Sequence, residues 1–150
     1  MDEQFLNELD ALRQNHNFEK QEFRGEITWI VPANKLVDLC LELRDQHTFV
    51  MLEGETAVDY WPNQDPRFHL VYHLYSFDKN FTLNIRTPLQ GNSPVAPTLE
   101  RVYPNANWNE REIWDMFGIR FEGHSDMRRI LMPQDWEGHP QRKDYPLGYE

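Results

Sequence analysis

The chain has 150 residues, which suits one domain with a single core, and its 20 Phe, Trp and Tyr side chains can fill that core. Its net charge of −10 excludes nucleic acid and anionic lipid as expected direct partners, because both carry negative charge. The first 100 residues carry 8 basic against 16 acidic side chains and the last 50 carry 7 against 9, so the last third is nearly balanced.

The N-terminal segment is acidic and amphipathic. Phe5, Leu6, Leu9 and Leu12 recur at helical spacing, which predicts a first helix over residues 3–15. A secretory signal would instead begin with basic residues followed by an apolar run. No apolar run in the sequence approaches the ~20 residues that a membrane span needs. We therefore expect a cytoplasmic chain that contacts a membrane only through partners.

The second predicted helix covers residues 34–46, and its apolar stripe contains the one cysteine of the chain, Cys40. Asn34 or the residue before it is placed to cap the first turn. A single cysteine cannot form an internal disulfide or hold an iron–sulfur cluster, which normally needs four thiolates. We therefore predict that Cys40 is a small buried hydrophobic side chain.

Four segments carry a strand signal, and bends or turns separate them. The first ends at Pro32, the second bends at Gly54, and the last two are joined by a short turn at residues 78–80. That turn predicts an antiparallel hairpin. The four segments are residues 20–32, 49–61, 67–77 and 81–89.

A proline-containing connector leads from these strands to a third helix. The connector covers residues 90–98, and Asn107 then stands three residues before Glu110, which is the spacing of a capping box. These signals predict a helix over residues 108–117 that ends at Gly118 in the left-handed conformation. The sequence after Gly118 predicts little regular structure.

Together these elements predict one α+β domain over residues 1–150. We expect a small mixed, mostly antiparallel sheet covered by helices, with an extended irregular C-terminal tail. Residues 107–150 contain the third helix and this tail, and most of the side chains that are candidates for a functional site lie there.

The charged residues of the third helix do not form an obvious active site. Glu110 and Glu112 point about 200° apart on a helix, so they cannot converge on one substrate. Arg111 and Asp115 have the spacing of an i, i+4 ion pair, which predicts a stabilising role within the helix. Glu112 with Asp115 is the acid pair for an alternative hypothesis, a stand-alone hydrolase.

Arg128 and Arg129 stand next to each other in a segment rich in apolar residues. Guanidinium groups are buried in such a segment only where carboxylates meet them. Two alternatives follow. The arginines bridge back to Glu110, Glu112 or Asp115 and tie the tail to the helix, or they reach another chain.

The histidines of the chain do not form a recognisable metal-ligand set. His124 and His139 lack the close cysteine, histidine and carboxylate partners of a zinc or iron site. His69 and His73 lie on one face of a predicted strand, a pattern that is too sparse to define a site. No glycine-rich phosphate loop occurs in the sequence.

Residues 109–133, NEREIWDMFGIRFEGHSDMRRILMP, resemble the signature of the C subunit of respiratory complex I, the proton-translocating NADH:quinone oxidoreductase. The mitochondrial counterpart of this C subunit is the 30 kDa subunit. The following DWEGHPQRKDYPL is similar to the continuation of that family. One departure is Ser125, which stands where the family usually has proline. The matching positions are Glu110, Arg111, Glu112, Asp115, Met116, Phe117, Gly118, Phe121, His124, Asp126, Arg128, Arg129, Ile130 and Leu131, then Asp135, Trp136, Gly138, His139, Pro140, Arg142, Lys143, Asp144, Tyr145 and Pro146.

The resemblance implies a cofactor-free structural and assembly subunit of the peripheral arm, on the cytoplasmic side of the inner cell membrane. It implies packing beside the large quinone-site subunit and the subunit that carries the terminal iron–sulfur cluster. The iron–sulfur clusters and FMN, and with them catalysis, are expected on partner subunits. An alternative is the equivalent subunit of a membrane-bound nickel–iron hydrogenase or formate hydrogenlyase.

The signature residues divide into two expected roles. Arg128, Arg129 and residues 135–146 are expected to form the interface with partners, because arginine and large aromatic side chains often anchor interfaces. Arg129→Ala is then expected to weaken assembly and to leave the isolated fold mostly intact. The residues expected to hold the helix and its charge pairs are Glu110, Arg111, Glu112 and Asp115.

Overall fold

The structure, a computed structural model, describes residues 2–148, and this range contains three helices and seven strands. No helix in it is both long and apolar enough to cross a membrane. The fold is α+β, as the sequence predicts. The helices are α1 (Glu3–His16), α2 (Ala33–Gln46) and α3 (Ala106–Phe117). The strands are β1 (Glu19–Phe23), β2 (Glu26–Ile30), β3 (Met51–Asp59), β4 (Phe68–Ser76), β5 (Phe81–Leu89), β6 (Val95–Pro97) and β7 (Arg120–Glu122).

Five strands form the main sheet in the order β1-β2-β5-β4-β3. The β2–β5 pair is parallel and the other three pairs are antiparallel, so the sheet is mixed and mostly antiparallel, as predicted. The predicted hairpin is confirmed, because β4 and β5 pair antiparallel over their whole length. The predicted bend is also confirmed, since the β3–β4 register shifts between Leu52 and Gly54.

The single strand predicted over residues 20–32 is wrong, because this segment folds into the β1–β2 hairpin. Arg24 and Gly25 form the turn, and their φ angles are both positive, 52° and 82°. Two consecutive residues with positive φ match the right-handed twist of the flanking strands. Arginine is an uncommon residue at such a position, so the sequence carries a weak turn signal there.

A second, small sheet consists of β6 and β7, which pair in parallel. β7 lies after Gly118, where the sequence predicts little regular structure, so that prediction is wrong for residues 120–122. Strands of three residues are too short to show a readable alternation. The tail, residues 123–148, has turns and bends but no further helix or strand, as predicted.

The core lies between the helices and one face of the main sheet. Side chains of β4 alternate, and Phe68, Leu70, Tyr72 and Leu74 are fully buried on that face. The apolar stripes of α1 and α2 belong to the same core cluster. Cys40 of α2 is fully buried as predicted, and burial raises the pKa of its thiol.

The start of α2 differs from the prediction. The helix begins at Ala33, its N-cap residue is Pro32, and no side chain caps it. Asn34 therefore lies inside the first turn, and the predicted cap at Asn34 or the residue before it is wrong. Proline starts the helix through its restricted φ, here −66°, rather than through a side-chain hydrogen bond.

Candidate functional site

α3 begins earlier than predicted and lacks the predicted capping box. Its N-cap residue is Asn105, which makes no side-chain capping bond, and Asn107 lies in the first turn. The Asn107 side-chain amide donates instead to the carboxylate of Glu100, at 2.8 Å. The predicted end is confirmed: Gly118 has φ 76° and donates its N–H to the carbonyl of Trp114 at 2.8 Å.

Glu110 is fully buried and joins α3 to the loop that follows β6. Its carboxyl accepts the backbone N–H of Leu99 at 2.7 Å and the hydroxyl of Thr98 at 2.5 Å. Burial raises the pKa of Glu110 to about 7, although both hydrogen bonds act in the opposite direction. The side chain predicted to cap its own helix therefore holds a neighbouring loop.

Asp115 is the second fully buried carboxyl of α3, and it holds the tail. One oxygen accepts the backbone N–H groups of Ile130, Leu131 and Met132, at 3.1, 2.7 and 2.9 Å. The other accepts the guanidinium of Arg129 at 2.6 Å. Burial acts to raise the pKa of Asp115, but these donors outweigh it and the pKa is lowered. Asp115 is thus a buried carboxylate that anchors the tail.

The two neighbouring arginines have different roles. Arg129 is 8% exposed, pairs with Asp115, and donates to the carbonyl of Gly138 at 2.9 Å. This is the first of the two alternatives, in which the arginine ties the tail to the helix. Arg128 is exposed and pairs with Asp126 two residues earlier, at 2.6 Å. Because Arg129→Ala would leave Asp115 buried without its cation, this variant should destabilise the isolated fold, contrary to the sequence-based expectation.

The predicted i, i+4 pair between Arg111 and Asp115 is wrong. The Arg111 guanidinium donates to the backbone carbonyls of Arg128 at 3.1 Å and Arg129 at 3.2 Å. It also lies 5.1 Å from the ring centre of Trp108. Helical spacing alone predicts the local pair, but tail carbonyls lie within reach and Asp115 is already occupied by Arg129.

The tail also covers the C-terminal turn of α3. Carbonyl groups at the end of a helix have no partner within it and need donors from elsewhere. Here residues of the tail supply three of these donors. The bonds are from His139 to the carbonyl of Asp115 (3.0 Å), from Gln141 to that of Met116 (2.9 Å) and from Arg142 to that of Phe117 (2.6 Å).

Besides Asp115 and the last turn of α3, Arg67 also holds the tail, and the sequence does not predict this role. Arg67 is fully buried and pairs with Asp59 at 2.9 and 3.0 Å and with Asp144 at 2.8 Å. Asp59 also accepts the backbone N–H of Lys143 at 2.9 Å. The bond to Asp59 raises the pKa of Arg67 above its usual value. A charged residue directly before an apolar strand is the one signal that could have identified Arg67.

Ser125, the departure from the family pattern, makes bonds that proline cannot make. Its N–H and its hydroxyl donate to the Glu100 carboxylate at 3.0 and 2.5 Å, and these bonds lower the pKa of Glu100 to about 2. The neighbouring His124 has a buried side chain. One ring nitrogen of His124 meets the carbonyl of Asn107 at 3.0 Å, and the other accepts the N–H of Asp126 at 3.0 Å.

The predicted set thus separates into a buried framework and an exposed remainder. Glu112, Leu131 and Trp136 of this set are exposed, the last two with 60% and 43% of their surface accessible. Trp108, which lies on α3 outside the set, is 61% exposed. Tyr145 is half-buried, and its ring packs against Gly138. Within residues 2–148, no three His, Cys, Asp or Glu side chains are grouped to hold a metal ion.

Comparison of sequences identifies the relatives of this chain. A profile of the family described as "Respiratory-chain NADH dehydrogenase, 30 Kd subunit" matches residues 29–150. The C subunit of NADH-quinone oxidoreductase from Saccharopolyspora erythraea is 46% identical over 127 residues, which are 83% of this chain and 51% of that protein. The C subunit from Geobacter sulfurreducens is 44% identical over 127 residues, 85% of this chain and 78% of that protein. The chain therefore spans about half of the first relative.

Two solved structures have a similar fold. The trypsin-resistant fragment (1–134) of Nqo5 gives a TM-score of 0.73 at 25% identity, covering 81% of this chain and 98% of that one. A chain of the membrane-bound sulfane sulfur reductase, an archaeal respiratory membrane complex, gives 0.81 at 28% identity, covering 97% and 87%. The chain therefore belongs to the family of the 30 kDa subunit of respiratory-chain NADH dehydrogenase, whose bacterial members are named as the C subunit of NADH-quinone oxidoreductase.

Proposed function

We propose that this chain is a non-catalytic assembly subunit of the peripheral arm of a proton-translocating NADH:quinone oxidoreductase. The observation that carries the proposal is that the charged side chains of the signature helix find their partners within the chain. Asp115 and Arg129 neutralise each other, and Glu110 is occupied by two donors of a neighbouring loop. These bonds fix α3 against the tail and the loop after β6. A fixed arrangement of this kind suits a protein that binds other subunits through its surface.

The proposed partners are the large quinone-site subunit, the subunit with the terminal iron–sulfur cluster, and other iron–sulfur subunits. The clusters and FMN would reside on them. Large apolar side chains that stay exposed on and after α3 support this role, because such side chains often mark interfaces. They include Trp108, Leu131, Trp136 and Leu147. The chain would sit peripherally on the cytoplasmic side of the inner membrane, contacting it through these partners.

A second candidate is the equivalent subunit of a related membrane enzyme, such as a nickel–iron hydrogenase or formate hydrogenlyase. The similarity to a chain of an archaeal respiratory membrane complex supports it, because that likeness covers 97% of this chain. The two relatives from NADH-quinone oxidoreductase are 44% and 46% identical, against 28% for that chain. The higher identity favours the quinone enzyme.

Co-purification tests the proposal. The tagged chain is isolated from its native membranes in mild detergent, and accompanying proteins are identified by mass spectrometry. We expect a quinone-site subunit, iron–sulfur subunits and membrane subunits in fixed proportion to the chain. A nickel-containing large subunit would favour the second candidate. A lone monomer would overturn both candidates. Hydrolytic activity in it would require a site other than Glu112 and Asp115, because Asp115 is buried and paired with Arg129.

A further inference from the structure

The first strand of the main sheet has a free edge. β1 is outermost in the sheet, its residues are all exposed, and within residues 2–148 no strand pairs with its outer side. The strand at the other edge, β3, contacts α3, and Asn105 beside that helix donates to the carbonyl of Leu52 at 2.9 Å. A free edge presents unpaired backbone N–H and C=O groups, which can bind another extended segment by strand addition.

The turn of the β1–β2 hairpin determines which backbone groups of β1 are free. Phe23 and Glu26 flank a two-residue turn and therefore form a hydrogen-bonded pair, and such pairs alternate along an antiparallel ladder. Gln21 therefore also bonds to β2, whereas the N–H and C=O groups of Lys20 and Glu22 point outward. Two donors and two acceptors are available to an added strand.

A cavity of about 140 Å³ lies between α1 and this hairpin. Lys20 and Glu22 of the edge strand belong to its lining, with Asp10 of α1. An apolar cavity of about 150 Å³ binds one benzene molecule, so this cavity has the size of one large apolar side chain. The apolar part of the lining consists of Leu6, Leu9, Ile27 and Trp29.

Strand geometry connects the free edge with the cavity. Residues directly opposite each other on paired strands point to the same face of a sheet. A partner residue opposite Lys20 or Glu22 would therefore point to the face on which α1 and the cavity lie. The side chains of Gln21 and Phe23 lie on the other face of the sheet, with Val71. Only the side chains of an added strand that face α1 can reach the cavity.

Charge favours a basic segment at this edge. Residues 1–30 carry seven acidic and three basic side chains. Two of the three basic side chains are engaged within the chain, since Arg13 pairs with Asp10 at 2.9 Å and Lys20 lies 3.6 Å from Glu22. The surplus of acidic groups attracts lysine and arginine. A second copy of this chain is disfavoured as the donor of the strand, because each copy has a net charge of −10.

We propose that the free edge of β1 binds an extended segment of a partner subunit, which adds a strand to the sheet. One large apolar side chain of that segment occupies the cavity, and lysine or arginine residues flank it. The inference rests on the proposed function, because the donor of the strand is another subunit of the assembled complex. Backbone bonds contribute affinity and the cavity contributes selectivity, as in other cases of strand addition.

The direct test is a cryo-electron-microscopy structure of the intact complex that contains this chain. We expect a backbone N or O atom of a partner within about 3.2 Å of the backbone O or N atom of Lys20 or Glu22, and an apolar partner side chain in the cavity. An edge that faces solvent, an empty cavity, or β1 of a second copy at this edge overturns the inference and leaves the proposed function intact. Absence of the chain from the complex contradicts the proposed function, and the inference falls with it.

Variants at Lys20 separate the backbone from the side chain. Lys20→Pro removes one outward N–H, and proline is tolerated at such edge positions, so the melting temperature of the isolated chain should stay near that of wild type. Its dissociation constant for the remaining subunits should rise about tenfold. Lys20→Ala removes the same side chain but keeps the N–H, so it is the matched control and should bind as wild type does. Phe23→Ala changes only the other face of the strand and should also bind normally. Equal dissociation constants for the two Lys20 variants would overturn the inference.

Hydrogen exchange gives a readout without any substitution, and it decides the question if Lys20→Pro lowers the melting temperature. The amides of Lys20 and Glu22 should exchange at least about a hundredfold more slowly in the complex than in the isolated chain, because an added strand protects them. The amide of Gln21, which already bonds to β2, is the internal reference and should change less. Exchange at Lys20 and Glu22 that is the same in the complex and in the isolated chain would overturn the inference.

Discussion

The two buried carboxyl groups of α3 differ in charge because their donors differ. Asp115 meets a guanidinium and three backbone N–H groups, so its charged form is favoured even though no solvent reaches it. Glu110 meets one N–H and one hydroxyl, which do not compensate for burial, so its neutral form persists to about pH 7. The same helix therefore carries one structural anion and one structural acid.

Asp115→Asn tests the structural anion. The amide keeps one oxygen but loses the charge, and it leaves Arg129 buried and unpaired, so we expect the free energy of unfolding to fall by about 3 to 5 kcal/mol. Urea denaturation measures this loss. Asp126→Asn removes the partner of an exposed arginine in the same segment and should leave the midpoint near that of wild type. Equal effects of the two changes would contradict the anchoring role of Asp115.

Glu110→Gln tests the structural acid through pH. The folded-state pKa of Glu110, about 7, lies above its usual value of 4.5, so the folded chain binds the extra proton between these values. Stability from this group is present at low pH and is lost as the pH rises from 4.5 to 7, by about 3 kcal/mol at most. The neutral amide removes this contribution, so the unfolding free energy of Glu110→Gln should decline less over that window. Identical pH profiles would contradict the assignment. Burial also raises the pKa of Glu55 on β3, so this second acid leaves a residual slope in both proteins.

At the scale of elements, the tail is part of the domain and not an appendage. Three anchors join it to the body: Asp115 holds residues 129–132, the last turn of α3 binds residues 139–142, and Arg67 with Asp59 binds residues 143 and 144. An irregular backbone has no ladder of its own, so these bonds satisfy it. The polar backbone of the tail is therefore hydrogen-bonded at these points within the chain itself.

Gly118→Ala tests the contact between α3 and the tail. A Cβ at this position would lie 2.7 Å from the His139 ring, and φ is 76°. Gly91→Ala has the same φ of 76° but meets nothing within 4 Å, so it isolates the backbone cost, about 1 to 2 kcal/mol. We expect the free energy of unfolding of Gly118→Ala to fall by about a further 1 to 3 kcal/mol, because the tail must shift. Thermal denaturation measures this loss. Equal melting temperatures for the two variants would show that the tail moves away from α3 without a loss of stability.

The elements that the sequence predicts well are those with long, regular periodicity. α1, α2 and the strand β4 each bury one face, and alternation or helical spacing reveals that face directly. The family resemblance identifies the signature residues but not their partners. Arg67 and Asp144 are 77 positions apart, and no local pattern connects residues at such a separation. The Asp115–Arg129 pair was one of several open combinations for the same reason.

At the scale of the whole molecule, buried ion pairs and exposed apolar side chains have different roles. The buried ion pairs at Asp115 and Arg67 fix the shape of α3 and the tail, and the exposed aromatic and apolar side chains near them remain free in the isolated chain. Trp136 lies between two of the anchors along the tail, so its position is fixed by bonds that it does not make. We expect the energy of assembly to come from such exposed side chains.

The measurement that tests the account most directly compares assembly with turnover. In cells whose only copy carries Trp136→Ala, native gels give the yield of assembled complex, and NADH:quinone assays give turnover per assembled complex. We expect the yield to fall several-fold while turnover per complex and the melting temperature of the isolated chain stay at wild-type values. Phe23→Ala, an exposed aromatic residue on β1 at the opposite edge of the sheet, is the matched control and should assemble normally. A normal yield with lost turnover would contradict the account and assign the chain a part in the chemistry.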